Sequence, residues 1–174
     1  FPRNVQAMTC GLSLWLPLHG LGAAATDDVA LRSGMGACAS FAINFRDPQA
    51  VAALRRHLDR YLKVRPVFAS DYYPLTEWSD DPSRWLAFQF HDPETGRGIV
   101  QAFGRVAAAE HASTLRLKGL DPGQTYAITN WDNASLPMER SGADLAGAGI
   151  EVLAKDAAEQ AIVLDYSPIR SGGL

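Results

Sequence analysis

Hydrophobic positions change their period once along this chain, near Pro66. Upstream, apolar residues fall in runs or at helical spacing, and downstream they alternate. Residues 11–16 (GLSLWL) form a continuous apolar run that ends at Pro17, which predicts a strand buried on both faces. Residues 40–45 predict a second strand. Between them, Thr26-Asp-Asp28 can cap a short helix running through Leu31. A longer helix follows, with Asp47 as N-cap and Pro48 at its first position. Val51, Leu54, Leu58, Tyr61 and Leu62 make its apolar stripe, and Arg55, Arg56, Asp59, Arg60 and Lys63 take the other faces. His57 sits among those arginines and is expected to be solvated. Pro66 ends the helix.

Beyond Pro66, strands are predicted over 67–73, 84–90, 98–105, 113–118, 125–131, 150–154 and 160–166. Turn residues separate them at Asp80-Asp-Pro82, Asp92-Pro-Glu-Thr-Gly96, Asp121-Pro-Gly123 and Ser141-Gly142. Short strands at such regular spacing predict an antiparallel β-sandwich. The fold class is therefore mixed α/β followed by all-β, with a boundary between 1–65 and 66–174. A strand–helix unit takes roughly 30 residues and a whole eightfold barrel about 250, so residues 1–65 hold about two such units. Two parallel strands with helices on one side leave apolar faces in water. Either they pack on the sandwich or they are the tail of a TIM-type barrel. The opening Phe1-Pro-Arg, without Met or a signal-peptide pattern, favours the second reading.

Composition adds exclusions. A net charge of −3 gives no reason to expect nucleic acid or an anionic membrane as partner. No apolar stretch approaches the ~20 residues of a membrane span. Cys10 and Cys38 lack metal-ligand spacing, and two buried free thiols are favoured over a disulfide. No phosphate-binding glycine loop, Ser-His-Asp order or other cofactor motif is present. The acidic set Asp71, Glu77, Asp80 and Asp81 reads as turn chemistry rather than a metal or catalytic pair. His91 and His111 lie in or beside turns. Asn133-Ala-Ser135 matches a glycosylation acceptor, a pattern of low specificity. Nothing fixes the compartment, and the cytoplasm is favoured.

Six blocks carry a resemblance. They are Gln6-Ala-Met-Thr-Cys-Gly-Leu-Ser-Leu-Trp-Leu-Pro17, Leu31-Arg-Ser-Gly-Met35, Asp71-Tyr-Tyr-Pro-Leu-Thr76, Trp85-Leu-Ala-Phe-Gln-Phe90 with residues 98–103, residues 117–122, and Ser141-Gly-Ala-Asp-Leu145. In that order they resemble the C-terminal part of glycoside hydrolase family 36, the α-galactosidases. The resemblance implies the last two strand–helix units of a TIM-type barrel followed by a β-sandwich. It also implies a retaining glycosidase acting on α-galactoside oligosaccharides through two aspartates. Both are expected upstream of Phe1, so this chain supplies no catalytic residue and should hydrolyse nothing alone. Its partners would be the rest of the barrel and, since family members often assemble, further copies of itself.

Barrel sites form at the C-terminal ends of the strands. On the predicted strands, Trp15 and His19 end the first, and Asn44 and Arg46 the second. Trp15 can stack on a sugar, although a place in the barrel core is favoured. His19 and Asn44 are balanced between ligand contact and loop capping. Arg32 is expected to pair with Asp28, one helical turn away. Tyr72, Tyr73, Trp78, Trp85 and Trp131 can form a carbohydrate-binding surface, but sandwich core is favoured, with Trp78 the exception. A non-catalytic carbohydrate-binding module is the rival reading.

Overall fold

The computed structural model describes residues 2–16, 18–79, 81–104, 112–154 and 160–169, with no account of the side chains of 134–136. The expectations for Pro17, Asp80, Arg105 and His111 lie outside these residues.

The predicted first strand is a helix. Residues Pro2–Ser13 form α1, and its buried face is Val5, Gln6, Thr9 and Cys10. Two of those four are polar, which hid the stripe from a count of apolar positions. Both find partners on the neighbouring helix: Gln6 Nε2 donates to Ser33 Oγ at 3.1 Å and Thr9 Oγ1 to the Ser33 carbonyl at 2.9 Å. The apolar run lies on the outside instead, in the last turn and the segment that follows. Leu14, Leu16 and Leu18 are exposed, and Trp15 is 79% exposed. Trp15 is therefore neither strand nor core.

Strand β1 (Gly20–Ala23) follows, then helix α2 (Asp28–Ser33), strand β2 (Cys38–Phe41) and helix α3 (Pro48–Val64). Strands β1 and β2 are parallel, with Gly20 opposite Cys38 and Ala23 opposite Phe41. The pairing is close at its start: a Cβ on Gly20 would lie 2.1 Å from the Cys38 carbonyl oxygen. Asp27 caps α2 through Ala30 N–H, and Asp47 caps α3 through Gln49 N–H, both at 2.9 Å. The two caps fall within a residue of where the sequence puts them. One face of the pair packs on α2 and α3 through Ala23, Leu31 and Leu54, with Phe41 and Ile43 against them. The other face, with Gly20, Gly22, Cys38 and Ser40, is uncovered among the described residues. Among the described residues, each strand also pairs along one edge only.

In α3 the buried positions are Ala50, Leu54, His57, Tyr61 and Val64, a clean three–four spacing. His57 is on that stripe and only 6% exposed, whereas Leu62 lies outside. Both expectations change: the stripe is rotated so that the histidine replaces a leucine. Past Val64 a turn of 3₁₀-helix spans Arg65–Ala69, where sequence alternation predicts strand.

The remaining strands are β3 (Asp71–Pro74), β4 (Leu86–His91), β5 (Gly98–Gly104), β6 (Ala112–Leu115), β7 (Thr125–Asn130), β8 (Asn133–Ser141), β9 (Ile150–Leu153) and β10 (Gln160–Pro168). Helix α4 (Gly142–Gly147) separates β8 from β9. Six strands make one antiparallel sheet in the order β3-β4-β5-β10-β7-β8, and β6 pairs with β9 apart from it. Every residue of β4 and β5 is buried, because both sheet faces are covered. On one face Leu86, Phe88, Phe90, Ile99, Phe103 and Val163 meet α3 and the 3₁₀ turn through Tyr61, Val64 and Phe68. On the other, Ala87, Val100, Ile128 and Leu164 meet Leu115, Leu145 and Val152. Among the described residues, no helix is long and apolar enough to cross a membrane.

Arg32 ties α2 to the sheet. It is 5% exposed on α2. Nη2 contacts Asp28 Oδ2 at 2.9 Å and Asp132 Oδ1 at 2.7 Å, while Nη1 donates to Asp132 Oδ2 at 3.0 Å and to the Ala161 carbonyl at 2.7 Å. Its own carbonyl accepts from Gln101 Nε2 at 3.1 Å. The pairing with Asp28 read from spacing is present, and two strands are added to it. Arg32→Ala should cost about 2–4 kcal/mol in chemical denaturation, since it strips partners from a buried junction. A loss below about 0.5 kcal/mol would mean that packing alone holds α2 against the sheet.

A second close fit is Gly98 opposite Tyr166, where a Cβ would lie 2.0 Å from the phenol ring. Gly98→Ala should lower the melting temperature and cost about 1–3 kcal/mol, because the buried ring must move. An unchanged melting temperature would show that β5 and β10 have slack at this position.

Candidate functional site

Both parallel strands run the same way, so residues 24–27 and 42–47 share their C-terminal end. That end is built from two capped helix starts. Asn44 is exposed there; its Oδ1 accepts Arg46 N–H at 3.1 Å and its carbonyl accepts Asp47 N–H at 3.0 Å. These bonds shape the turn into α3 and engage the side-chain oxygen and the carbonyl of Asn44. Phe45, beside it, is an exposed aromatic ring.

Trp15 and His19 lie at the other end. His19 precedes β1: its carbonyl accepts Cys38 N–H at 3.2 Å and its Nε2 lies 2.8 Å from Ser13 Oγ. Burial pushes its imidazole pKa down. The sequence places both residues at the end of the first strand, and this changes because the strand begins only at Gly20. The three sequence-selected residues therefore do not converge. Asn44 alone keeps its position at the strand ends.

The aromatic set divides as well. Trp85 and Trp131 are buried. Tyr72 is half-buried, and its hydroxyl donates to the Cys10 carbonyl at 3.0 Å. Tyr73 bonds Asp71 at 3.1 Å. Trp78, 56% exposed, is the ring left for solvent. Of the acidic set, Glu77 pairs with Arg84 at 3.3 Å and Asp81 accepts from Ser83 N–H at 2.8 Å, which is turn chemistry. Among the described residues, no group of three His, Cys, Asp or Glu could hold a metal ion. Cys10 is buried and Cys38 exposed, both as free thiols, so the expectation of two buried thiols holds for one.

A polar cleft of about 580 Å³ opens where α2, α3 and the β7–β8 turn meet, lined by Arg32, Asp28, Asp132 and His57 among others. Sequence reasoning missed His57 here. Its ring stacks on Tyr61 and meets Phe41 and Trp131 edge-on. Its Nε2 has no hydrogen-bond partner among the described residues. Burial, with the Arg32 charge nearby, brings its pKa down to about 4, and Asp28 opposes this. The spacing from Leu54 through His57 to Tyr61 was the signal that placed it on the buried stripe.

No family model matches the sequence, and no curated protein matches it. Solved structures do, and they place the fold with α-galactosidases. The galactosidase domain of the α-galactosidase–sucrose kinase AgaSK superposes with a TM-score of 0.79 at 18% identity, over 97% of this chain and 25% of its own. The family 36 α-galactosidase AgaB from Geobacillus stearothermophilus gives 0.67 at 22% identity, over 88% and 21%. A variant of AgaA from the same organism, in complex with stachyose, gives 0.70 at 19% identity, over 86% and 22%. This chain thus spans a quarter or less of the structures it matches. The shared fold is mixed α/β with a mostly antiparallel sheet.

Protonation supplies a test of the cleft. In the unfolded chain His57 has its ordinary pKa near 6.5, and in the fold it stays neutral down to about 4. The unfolded state therefore binds the extra proton first, and stability should fall as pH drops from 6.5 to 4. Denaturation midpoints of His57→Phe across this window should show a shallower decline than wild type. Identical slopes would remove His57 as the cause.

Proposed function

We propose that this chain is the C-terminal part of a retaining α-galactosidase-like glycoside hydrolase, made of the last two strand–helix units of a TIM-type barrel and a β-sheet domain. The observation that carries this reading is the parallel pair β1–β2. Among the described residues it has helices on one face, bare small residues on the other and an unpaired edge on each strand. Parallel strands are stable only when covered on both sides, so the pair calls for neighbouring strands. The fold shared with α-galactosidases over 97% of this chain, but a quarter of theirs, supports the same conclusion.

In this reading two aspartates lie upstream of Phe1, with carboxyl groups about 5 Å apart as a covalent glycosyl-enzyme route requires. This chain contributes position rather than chemistry. The Arg32 junction holds α2 against the sheet, α2 and α3 hold β1 and β2, and Asn44 stands where a substrate hydroxyl would arrive. The substrate class is α-galactosides at the ends of oligosaccharides. Trp15 and His19 fall away from this surface.

The test is the reading frame before Phe1 together with the full-length protein. An aspartate within about ten residues, preceded by repeated strand–helix units, should accompany hydrolysis of p-nitrophenyl α-galactoside. Asn there should abolish the activity, and the 174-residue chain alone should have none. The isolated chain should also bind a hydrophobic dye at Met8, Leu14, Trp15 and Leu16, which are exposed. An unrelated domain upstream, or a dye-silent monomer, overturns the proposal.

Exposed Trp78 favours one rival, a non-catalytic carbohydrate-binding module. Trp78→Ala separates the two. Loss of sugar binding by the isolated chain supports the module, and unchanged behaviour supports the enzyme.

A further inference from the structure

At the last turn of α3, far from Asn44, a cleft of about 270 Å³ opens between the helix and the sheet. Three cations line it. Arg60 donates from Nη1 to the Trp131 carbonyl, and its guanidinium carbon lies 5.9 Å from the centre of the Trp131 ring. Arg97, in the β4–β5 turn, donates from Nη2 to the Lys63 carbonyl at 3.2 Å. Lys63 itself is exposed at the cleft. None of the three forms an ion pair among the described residues. Both arginines are thus aimed by neutral carbonyls, which fix direction without cancelling charge.

One carboxylate shares the space. Asp165 Oδ2 accepts Trp131 Nε1 at 2.7 Å. Burial raises its pKa, while that bond and the charges of Arg97, Arg60 and Lys63 act the other way. Three cations against one acid leave the cleft positive on a chain whose net charge is −3. Guanidinium forks suit phosphate oxygens. A carboxylate repels a bare anion but accepts hydrogen bonds from hydroxyls, as does the Thr129 oxygen beside it. A ligand that satisfies both ends carries a phosphate and hydroxyl groups. The volume lies just under the usual range for ligand clefts, so the cleft has room for no more than a single sugar-sized molecule.

We propose that this cleft binds a phosphorylated polyol of sugar size, its phosphate held by Arg60, Lys63 and Arg97 and a hydroxyl bonded to Asp165. The site is separate from the strand ends, and its test is independent of any glycosidase activity. Calorimetric titration of the full-length protein at physiological salt, with glucose 6-phosphate as the probe, should show saturable binding, weaker with inorganic phosphate. Lys63→Gln and Arg97→Gln, both surface changes, should each weaken binding of the probe by about tenfold. Asp165→Asn should weaken glucose 6-phosphate and spare inorganic phosphate. No heat with glucose 6-phosphate, an affinity unchanged in Lys63→Gln and Arg97→Gln, or equal affinity for both phosphates overturns the proposal.

Discussion

A guanidinium removed from water must have every direction answered, and in this molecule that demand organises the rest. Arg32 is answered by its own helix at Asp28, by the β7–β8 turn at Asp132 and by the middle of the sheet at Ala161. Gln101 closes the ring from β5 through the Arg32 carbonyl. Apolar packing between α3 and the sheet supplies most of the burial, but it is tolerant of small slides. The Arg32 contacts are directional, so they choose one position of the helical layer among many of similar area. Through Ser33, one residue on, the same point also fixes α1 by way of Gln6 and Thr9.

The sheet that receives these contacts is antiparallel yet buried like a parallel one. Strands β4 and β5 are covered on both faces, which is why Gln89, His91 and Gln101 are enclosed and turn to internal partners. Gln89 meets Lys118 N–H, the Lys118 carbonyl and the Tyr166 hydroxyl, and His91 meets the same hydroxyl. Rigid support of this kind is what a pair of parallel strands needs if the loops at their ends are to present side chains consistently.

Much of this was readable in the sequence. The Asp47-Pro48 start of α3 has both capping chemistry and a fixed φ, and it lies where they put it. Strands β4, β5, β7, β9 and β10 begin within two residues of the runs that predict them; β7 and β9 alternate buried and exposed positions as the pattern requires, while β4 and β5 are enclosed throughout. Three features were hidden for physical reasons. Helix α1 buries polar Gln6 and Thr9, so its stripe did not look apolar. Strand β8 lies at the sheet edge and carries Pro137, Glu139 and Arg140, residues that protect an edge and read as loop. Helix α4 has six residues, too few for a period. The candidate site suffered most from the first of these, because moving β1 downstream carried Trp15 and His19 to the opposite end from Asn44. His57 was misread for a simpler reason: neighbouring arginines were allowed to outweigh its spacing.

The sheet order holds one further consequence. Strand β10 lies between β5 and β7, and among the described residues those two strands touch no other common neighbour. Until it arrives, β3-β4-β5 and β7-β8 are separate ribbons with apolar edges open to pairing. During synthesis on the ribosome, the strand made last of those described is the one that completes the middle. Arg32 waits for it too, since its carbonyl partner is 129 residues away. The middle of the sheet and the Arg32 junction are both completed by the same strand, so contacts far apart in sequence close together.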